Sequence, residues 1–367
     1  MNLDYTSRLQ KIETVLWNVL PRQPDSAWFR RIFFDNGHEL PLPALERPVP
    51  LLEPGIDLLE RGGKRWRPLL MQLVCESLGG GDAAMPLAPI VEFCHNASLI
   101  HDDIEDNSAE RRGKPAVHLL YGTDAAINSG CFMYFLPLSC IDGWDAPPEA
   151  RLKLYSLWAL SMRALHLGQS LDIAWHNDWE SLPSVDDYYT MCALKTGVLA
   201  RFAVDAGCLA ACAAGGGGGG GGGKALPLAK AAEKLGVGFQ VLDDVNNLRY
   251  GVPGKRRGDD IVEGKKSLPV LLYLHGAAPD TAETDRRRSL VRRCFDAASA
   301  AAEAAAEAAV EELTSALSAA GCLDRAGERG RSLLLEAEAV FSAFAASCSG
   351  AGEEARKLLA GFTGLIG

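Results

Sequence analysis

Strand signals are nearly absent from this chain of 367 residues, and apolar side chains seldom alternate with polar ones, which argues against a sheet-based fold. No CxxC pair occurs among its ten cysteines. The scattered thiols therefore read as reduced, several of them acting as small hydrophobes inside apolar helical stretches. A surplus of positive charge is missing too: 37 Lys and Arg stand against 47 Asp and Glu, a net charge of −10. That excludes a general nucleic-acid coat, because phosphate-backbone binding needs a clustered basic surface. An anionic small substrate stays open if cations gather locally or a metal ion bridges the repulsion. The opening MNLDYTSRLQKIE lacks an apolar signal core. The longest apolar stretch, about 125–141, is too short for a span and contains Asn128 and Pro137. These absences predict a soluble, cytoplasmic protein with no transmembrane segment.

What is present points to helices. Hydrophobic residues at 48% and charged residues at 23% are ordinary for a globular protein and exclude a disordered chain, a collagen or a coiled-coil rod. The length suggests roughly two domains of about 150 residues. Leu69, Leu70, Leu73, Val74 and Leu78 recur at helical spacing, as do Ile90, Val91, Cys94, Ala97 and Ser98. Residues 1–35 read as one or two short helices, and the proline-rich 41–54 as an extended connector. Together, 1–50 form an N-terminal extension ahead of a main domain over 51–367. Nine consecutive glycines at 215–223 read as a flexible loop that cannot hold a helix. A phosphate cradle would need a following GK[ST], and none is there. The Ala-rich residues 280–367 read as peripheral helices. The chain as a whole predicts an all-α bundle around one core.

Two acidic clusters carry the chemistry. LIHDDIEDNSAERRGKP supplies Asp102, Asp103 and Asp106, and FQVLDDVNNL supplies Asp243, Asp244 and Asn247. In each, first and last members are four apart and share a helical face. A single DDxxD is most simply a solvated acidic face. Two copies, each on an otherwise apolar helix, are not, because interior carboxylates repel one another and resist desolvation. Hard divalent cations resolve this, leaving coordination sites for substrate phosphate oxygens. Cations complete the pattern: Lys64, Arg65 and Arg67 in GGKRWRP, Arg111 and Arg112 one or two turns beyond the first cluster, Lys195 with Thr196 in ALKTG, and Lys255, Arg256, Arg257, Lys265 and Lys266 in GKRRGDDIVEGKK. Their placement beside glycine-marked helix ends favours two anion sites, one using magnesium and one using Arg and Lys directly.

With these residues in view, the sequence resembles the trans-isoprenyl diphosphate synthases, and most closely the geranylgeranyl diphosphate synthases. The resemblance covers about 51–275, where GGKRWRP, HNASLIHDDIEDNSAERRGKPAVH, LHLGQSLDIAW, LKTG, GFQVLDDVNNL and DDIVEGKKSLP occur in family order. It implies an isoprenoid synthase type helical fold around a central cavity, with the aspartate motifs facing each other across its mouth. It implies magnesium (Mg2+, three ions per active site) held by Asp102, Asp103, Asp106, Asp243 and Asp244. Arg111, Gln169, Lys195, Thr196, Gln240, Lys255 and Lys265 would attend the allylic diphosphate. Lys64, Arg67, His95 and Arg112 would hold isopentenyl diphosphate. By itself His95 is a core histidine; seven residues before Asp102 in a matched motif, it becomes a ligand. His101 and His118 read as structural. The implied reaction ionises the allylic diphosphate, lets the isopentenyl double bond attack the cation, and then loses a proton, for which the released diphosphate serves as acceptor in this family. No side-chain general base stands out. Membership also implies a homodimer.

Asn247 stands where the second motif usually has aspartate, as in eukaryotic-type geranylgeranyl synthases, whereas His101 and GGKRWRP look more bacterial. Residues 1–50 have no counterpart; Trp28, Phe29, Phe33 and Phe34 there are expected to pack onto the bundle. One turn below Asp102 lie Ala97 and Ser98, both small, so a growing chain is not blocked there, and a product of twenty carbons or longer is expected. Ala97→Phe should shorten it. Phe132, Met133 or Tyr134 would supply the floor. A longer-chain synthase shares this chemistry. A non-catalytic modulating subunit would have lost aspartates or cations, and a terpene cyclase would not need the second cationic set.

Overall fold

Apolar residues at three- and four-residue spacing fold as helices almost throughout, in a computed structural model that describes residues 4–33, 49–178, 180–216, 221–251, 257–277, 281–299, 303–349 and 352–365. In chain order they are α1 (Thr6–Val19), α2 (Ser26–Phe33), α3 (Val49–Glu60), α4 (Trp66–Ser77), α5 (Ala88–Glu105), α6 (Val117–Tyr121), α7 (Thr123–Phe135), α8 (Ser139–Asp142) and α9 (Pro148–Asn177). Then follow α10 (Val185–Cys192), a π-helical turn (Ala193–Gly197), α11 (Val198–Ala213), α12 (Gly221–Tyr250), α13 (Asp259–Val262), α14 (Leu268–His275), α15 (Ala282–Ser299), α16 (Glu303–Ala319), α17 (Cys322–Ser347) and α18 (Glu353–Ala360). Among the described residues the only strands are β1 (Glu110–Arg111) and β2 (Lys114–Pro115), paired antiparallel. All ten cysteines are free thiols.

The chain divides into two compact units. One comprises Met1–Ala159, Phe202–Pro227 and Ser342–Phe362; the other comprises Leu160–Arg201, Leu228–Phe341 and Thr363–Gly367. In the first, α4 and α5 are the centre: Leu69, Leu70, Val74, Phe93 and Ala97 are all at 0% exposure. The N-terminal aromatics pack as expected. Trp28 and Phe29 are buried, and Phe33 stacks on Phe132 of α7 with centroids 5.4 Å apart. Phe34 lies outside the described residues. In the second unit, Tyr188, Cys192, Val241 and Leu271 pack with Ala326 and Leu333 of α17, and Cys294, Leu313 and Leu317 gather α15 and α16.

Several local expectations are corrected. The connector does not extend through 54, because α3 begins at Val49 and contains Pro54. Pro50 sits in the first turn, where its missing N–H has no intrahelical partner to lose. Tertiary packing outweighs Pro54: Leu52, Leu58 and Leu59 are buried, and Gly55 brings α3 close to α7. A Cβ on Gly55 would meet Met133 Sδ at 2.6 Å. Within the glycine run, Gly215 takes a left-handed turn, 217–220 lie outside the described residues, and Gly221–Gly223 form the first turn of α12. A first turn needs little from side chains once the helix behind it is packed. The Ala-rich tail is not wholly peripheral, since Phe341 and Phe362 are fully buried. Among the described residues one helical run, Val185–Ala213, is long and apolar enough to cross a membrane by length and composition alone, but its apolar window is 61% buried within the protein, as in a core helix.

Candidate active site

The first acidic motif occupies the C-terminal end of α5. Asp103 is fully buried, and Asp106 caps the helix with its N–H on the Asp102 carbonyl. The chain then turns through a β-hairpin rather than continuing as helix, which corrects the expected placement of the two arginines. Arg112 (φ 55°) and Gly113 (φ 74°) are consecutive left-handed residues, as a two-residue type I′ turn requires. The hairpin separates the two guanidinium groups. Arg111 folds back onto the motif: its Nε donates to Asp103 Oδ1 at 2.8 Å, and its Nη2 lies 3.4 Å from Asp102 Oδ2. Arg112 Nη1 donates instead to the Leu58 carbonyl (3.1 Å) and to Asn96 Oδ1 (3.2 Å).

Arg112 belongs to a cation cluster in the same unit. Arg65 is held by Glu92 Oε1 (2.8 Å), Glu13 Oε1 (2.7 Å) and the Leu59 carbonyl (2.8 Å). Arg67 is buried, its guanidinium lies 4.3 Å from the Trp66 ring centroid, and its Nε makes no hydrogen bond. Burial pulls the pKa of both Arg67 and Arg112 down to about 10; Glu92 opposes this, and repulsion from neighbouring arginines adds to it. Half-buried His95 is held neutral, well below the usual histidine value, by burial and then by Arg67, Arg112, Arg65 and Arg111. Cations crowded without enough acid, one of them with an orphaned donor, make a site that an anion completes. Lys64 stands exposed at the start of α4.

The second motif lies on α12, in the other unit. Asp244 is buried, accepting from Tyr188 Oη (2.6 Å) and Gln240 Nε2 (2.9 Å), while Gln240 Oε1 accepts from Thr196 Oγ1 (3.0 Å). Thr196 and Lys195 sit on the π-turn. That turn approaches α9 closely because position 168 is glycine: a Cβ there would stand 2.4 Å from the Lys195 nitrogen. Lys195 Nζ donates to buried Asp172 at 2.6 Å. Gln169 is one turn earlier on α9. Lys265 lies 2.9 Å from Glu263 and 3.9 Å from Asp260. Lys255 lies outside the described residues.

The donor set fits a hard divalent cation. Burial, then Asp260 and Asp243, push Asp244 up to about 7, against the pull of its two hydrogen bonds. One turn on, Asn247 is 1% exposed with neither amide atom hydrogen-bonded. Crowded carboxylates and an orphaned amide oxygen are hard ligands lacking positive charge. Among the described residues no three acidic, His or Cys groups form a ready metal cage. Magnesium seldom needs one, since it is held by one or two carboxylates together with water and substrate phosphates.

Ala97 is fully buried, while Ser98 is half-buried with its hydroxyl on the His95 carbonyl. Of the three candidate floor residues, Met133 packs at Gly55, Tyr134 stacks on His101 with centroids 5.7 Å apart, and Phe132 takes Phe33. His101 holds the Ala97 carbonyl through Nδ1 at 3.0 Å, consistent with a structural role. Sequence reasoning passed over Asp172, Tyr188, Glu92 and Asn96. Asp172 carried a signal, three residues after Gln169 on one helical face. Tyr188 carried none, being 56 residues from the aspartate it touches.

A chain that is helical almost throughout and carries two aspartate motifs and a buried cation cluster is of the isoprenoid synthase type. The chain belongs to the polyprenyl synthetase family, whose sequence profile matches residues 49–313. Curated relatives include geranylgeranyl pyrophosphate synthase paxG of Penicillium paxilli, 33% identical over 196 residues, 53% of this chain and 48% of that protein. A geranylfarnesyl diphosphate synthase of Aeropyrum pernix is 32% identical over 62% of this chain and 74% of its own length. The geranylgeranyl pyrophosphate synthase of Eremothecium gossypii is 36% identical over 63% and 72%. The matched part thus spans between about half and three quarters of these relatives. A solved geranylgeranyl pyrophosphate synthase shares the fold at TM-score 0.79 and 24% identity, covering 100% of this chain and 99% of its own. A polyprenyl synthase of Caulobacter crescentus, solved with calcium and isoprenyl diphosphate, superposes at TM-score 0.72 and 25% identity over 97% and 94%.

Proposed function

We propose that this protein is a magnesium-dependent trans-prenyltransferase that condenses isopentenyl diphosphate with an allylic diphosphate to give geranylgeranyl diphosphate. The observation that carries this reading is the anion-seeking cluster of Arg67, Arg112 and His95, in one unit with the Arg111-bridged aspartates. Lys64, Arg67, His95 and Arg112 hold the isopentenyl diphosphate. A neutral His95 donates a hydrogen bond to that anion without adding charge to a crowded cluster. Asp102, Asp103, Asp106, Asp243 and Asp244 hold the metal ions, three per active site, and Asn247 adds a neutral oxygen. When bound, magnesium neutralises charge developing on the departing allylic diphosphate.

Arg111, Gln169, Lys195, Thr196, Gln240, Lys255 and Lys265 orient that same diphosphate. Lys195, fixed by Asp172, aims a preorganised positive charge at the leaving group, so little reorganisation is needed as the carbon–oxygen bond breaks. Positioning both substrates supplies much of the rate, and apolar walls keep water from the cation. The small side chains Ala97 and Ser98 leave room for twenty carbons. We further propose a cytoplasmic homodimer; Ile127 and Phe135 of α7, 44% and 62% exposed on one helical face, are the kind of apolar surface a second copy would cover.

The test is product analysis with magnesium, labelled isopentenyl diphosphate and, separately, dimethylallyl, geranyl and farnesyl diphosphates. A dominant twenty-carbon alcohol after dephosphorylation is expected. A ladder of longer alcohols would keep the chemistry and replace the product. Absence of turnover with every primer would sink the reading.

A further inference from the structure

We infer that Asn96 is a positioning residue for the isopentenyl diphosphate site: its buried side-chain amide is interposed between the Glu92 carboxylate and the Arg112 guanidinium, so that Arg112 is held in place without being neutralised. The inference rests on the proposed role of Arg112 and goes beyond it. Asn96 is at 0% exposure on α5, and its Nδ2 donates both to the Glu92 carbonyl (2.8 Å) and to Glu92 Oε1 (3.0 Å). Those two donations fix the amide orientation, because only nitrogen can donate. The remaining atom, Oδ1, therefore faces Arg112 Nη1, which donates to it at 3.2 Å.

The alternative arrangement shows what the amide does. Glu92 is 2% exposed and is the carboxylate that counters the positive charge of Arg67, Arg112 and Arg65 together. Given direct contact, a buried carboxylate and a guanidinium would form a bidentate pair and occupy the fork that a phosphate would otherwise use. The amide prevents this by offering each ion a neutral partner of suitable polarity. The same Glu92 oxygen, Oε1, also accepts from Arg65 Nη1 at 2.8 Å, so the charged partner of Glu92 is Arg65, which Glu13 of α1 steadies from beyond the profile-matched segment. Arg112, anchored among the described residues by two neutral oxygens, keeps its full charge for the ligand.

The experiment compares Asn96→Ser and Asn96→Asp with the wild-type enzyme. Serine retains a hydroxyl that can reach the helix carbonyl four residues back but not Arg112. Aspartate places a carboxylate where the amide was. Steady-state KM for isopentenyl diphosphate and for the allylic diphosphate are measured separately, with kcat, Tm and equilibrium binding of isopentenyl diphosphate alone. The expected result is a KM for isopentenyl diphosphate raised about tenfold in Asn96→Ser, the scale of one hydrogen bond to a charged group. Asn96→Asp should raise it further, while the allylic KM and kcat stay within about twofold of wild type. Parallel changes in both KM values, or an unchanged isopentenyl KM in either folded variant, would overturn the inference. Should Asn96→Asp fail to fold, Asn96→Ser decides alone. Wild-type protein that neither binds nor turns over isopentenyl diphosphate would instead remove the functional reading, and the inference with it.

Discussion

Replacing Gly168 by alanine should cripple turnover far more than it harms stability. A Cβ on Gly168 would lie 2.4 Å from the Lys195 nitrogen and 2.8 Å from Leu194 backbone and side-chain carbon. These are mostly backbone atoms of a packed π-turn, so no flexible side chain can yield. To restore ordinary contact the turn must retreat by about 1 Å. Such overpacking costs about 1–3 kcal/mol, of which alanine recovers about 1 kcal/mol through its better helix propensity. The net loss of stability is therefore at most about 2 kcal/mol, which a chain of this size should survive. The retreat, however, carries Lys195 and Thr196 with it, and a misplacement of about 1 Å at a reacting centre is worth about 100-fold in rate. The assay pairs calorimetric Tm with kcat under saturating magnesium and both diphosphates. Gly364→Ala, where nothing lies within 4 Å of the new Cβ, serves as the control. A folded Gly168→Ala enzyme with wild-type kcat would refute the reasoning, because it would mean that the π-turn does not position the lysine.

Asp103→Asn removes the charge that Arg111 grips and should lower kcat by more than the ~10–100-fold typical of losing an outer-shell metal partner, read as activity against magnesium concentration; a loss under tenfold counts against metal binding at Asp103. Asp244 titrates near 7 in the folded protein, against 3.8 for the free group, so ionising it disfavours the metal-free fold as pH rises through that window. Bound magnesium favours the ionised form, so the rise in Tm on adding it should grow between about pH 6 and pH 8. Asp244→Asn should flatten that trend; equal magnesium shifts at both pH values would contradict it. Ser98→Phe, at a half-buried position, should shorten the product toward fifteen carbons by chromatography of the released alcohols. Ala97→Phe tests the same wall but carries an overpacking cost of about 1–3 kcal/mol at a fully buried site, and unchanged product length in both would dismiss the assignment.

Helices, acidic motifs and their metal chemistry were legible in the sequence because each depends on residues close together along the chain. Apolar spacing in α4 and α5 is a local property, and so is the four-residue separation that puts Asp102 and Asp106, or Asp243 and Asn247, on one face. Where one local rule met a stronger tertiary demand, it gave way. Pro54 lies within α3 because burying Leu52, Leu58 and Leu59 outweighs one lost backbone bond.

The sequence by itself determined which charges exist and that they occur in clusters; tertiary structure decided what each one faces. No spacing rule could reveal that adjacent Arg111 and Arg112 serve different partners, since that follows from a two-residue hairpin with both φ angles positive. Nor could spacing pair Lys195 with Asp172, or Asp244 with Tyr188, across 23 and 56 residues. The reason is range. Helix formation is settled by hydrogen bonds four residues apart, whereas ionisation and charge pairing at a buried site depend on whichever distant groups replace the lost water.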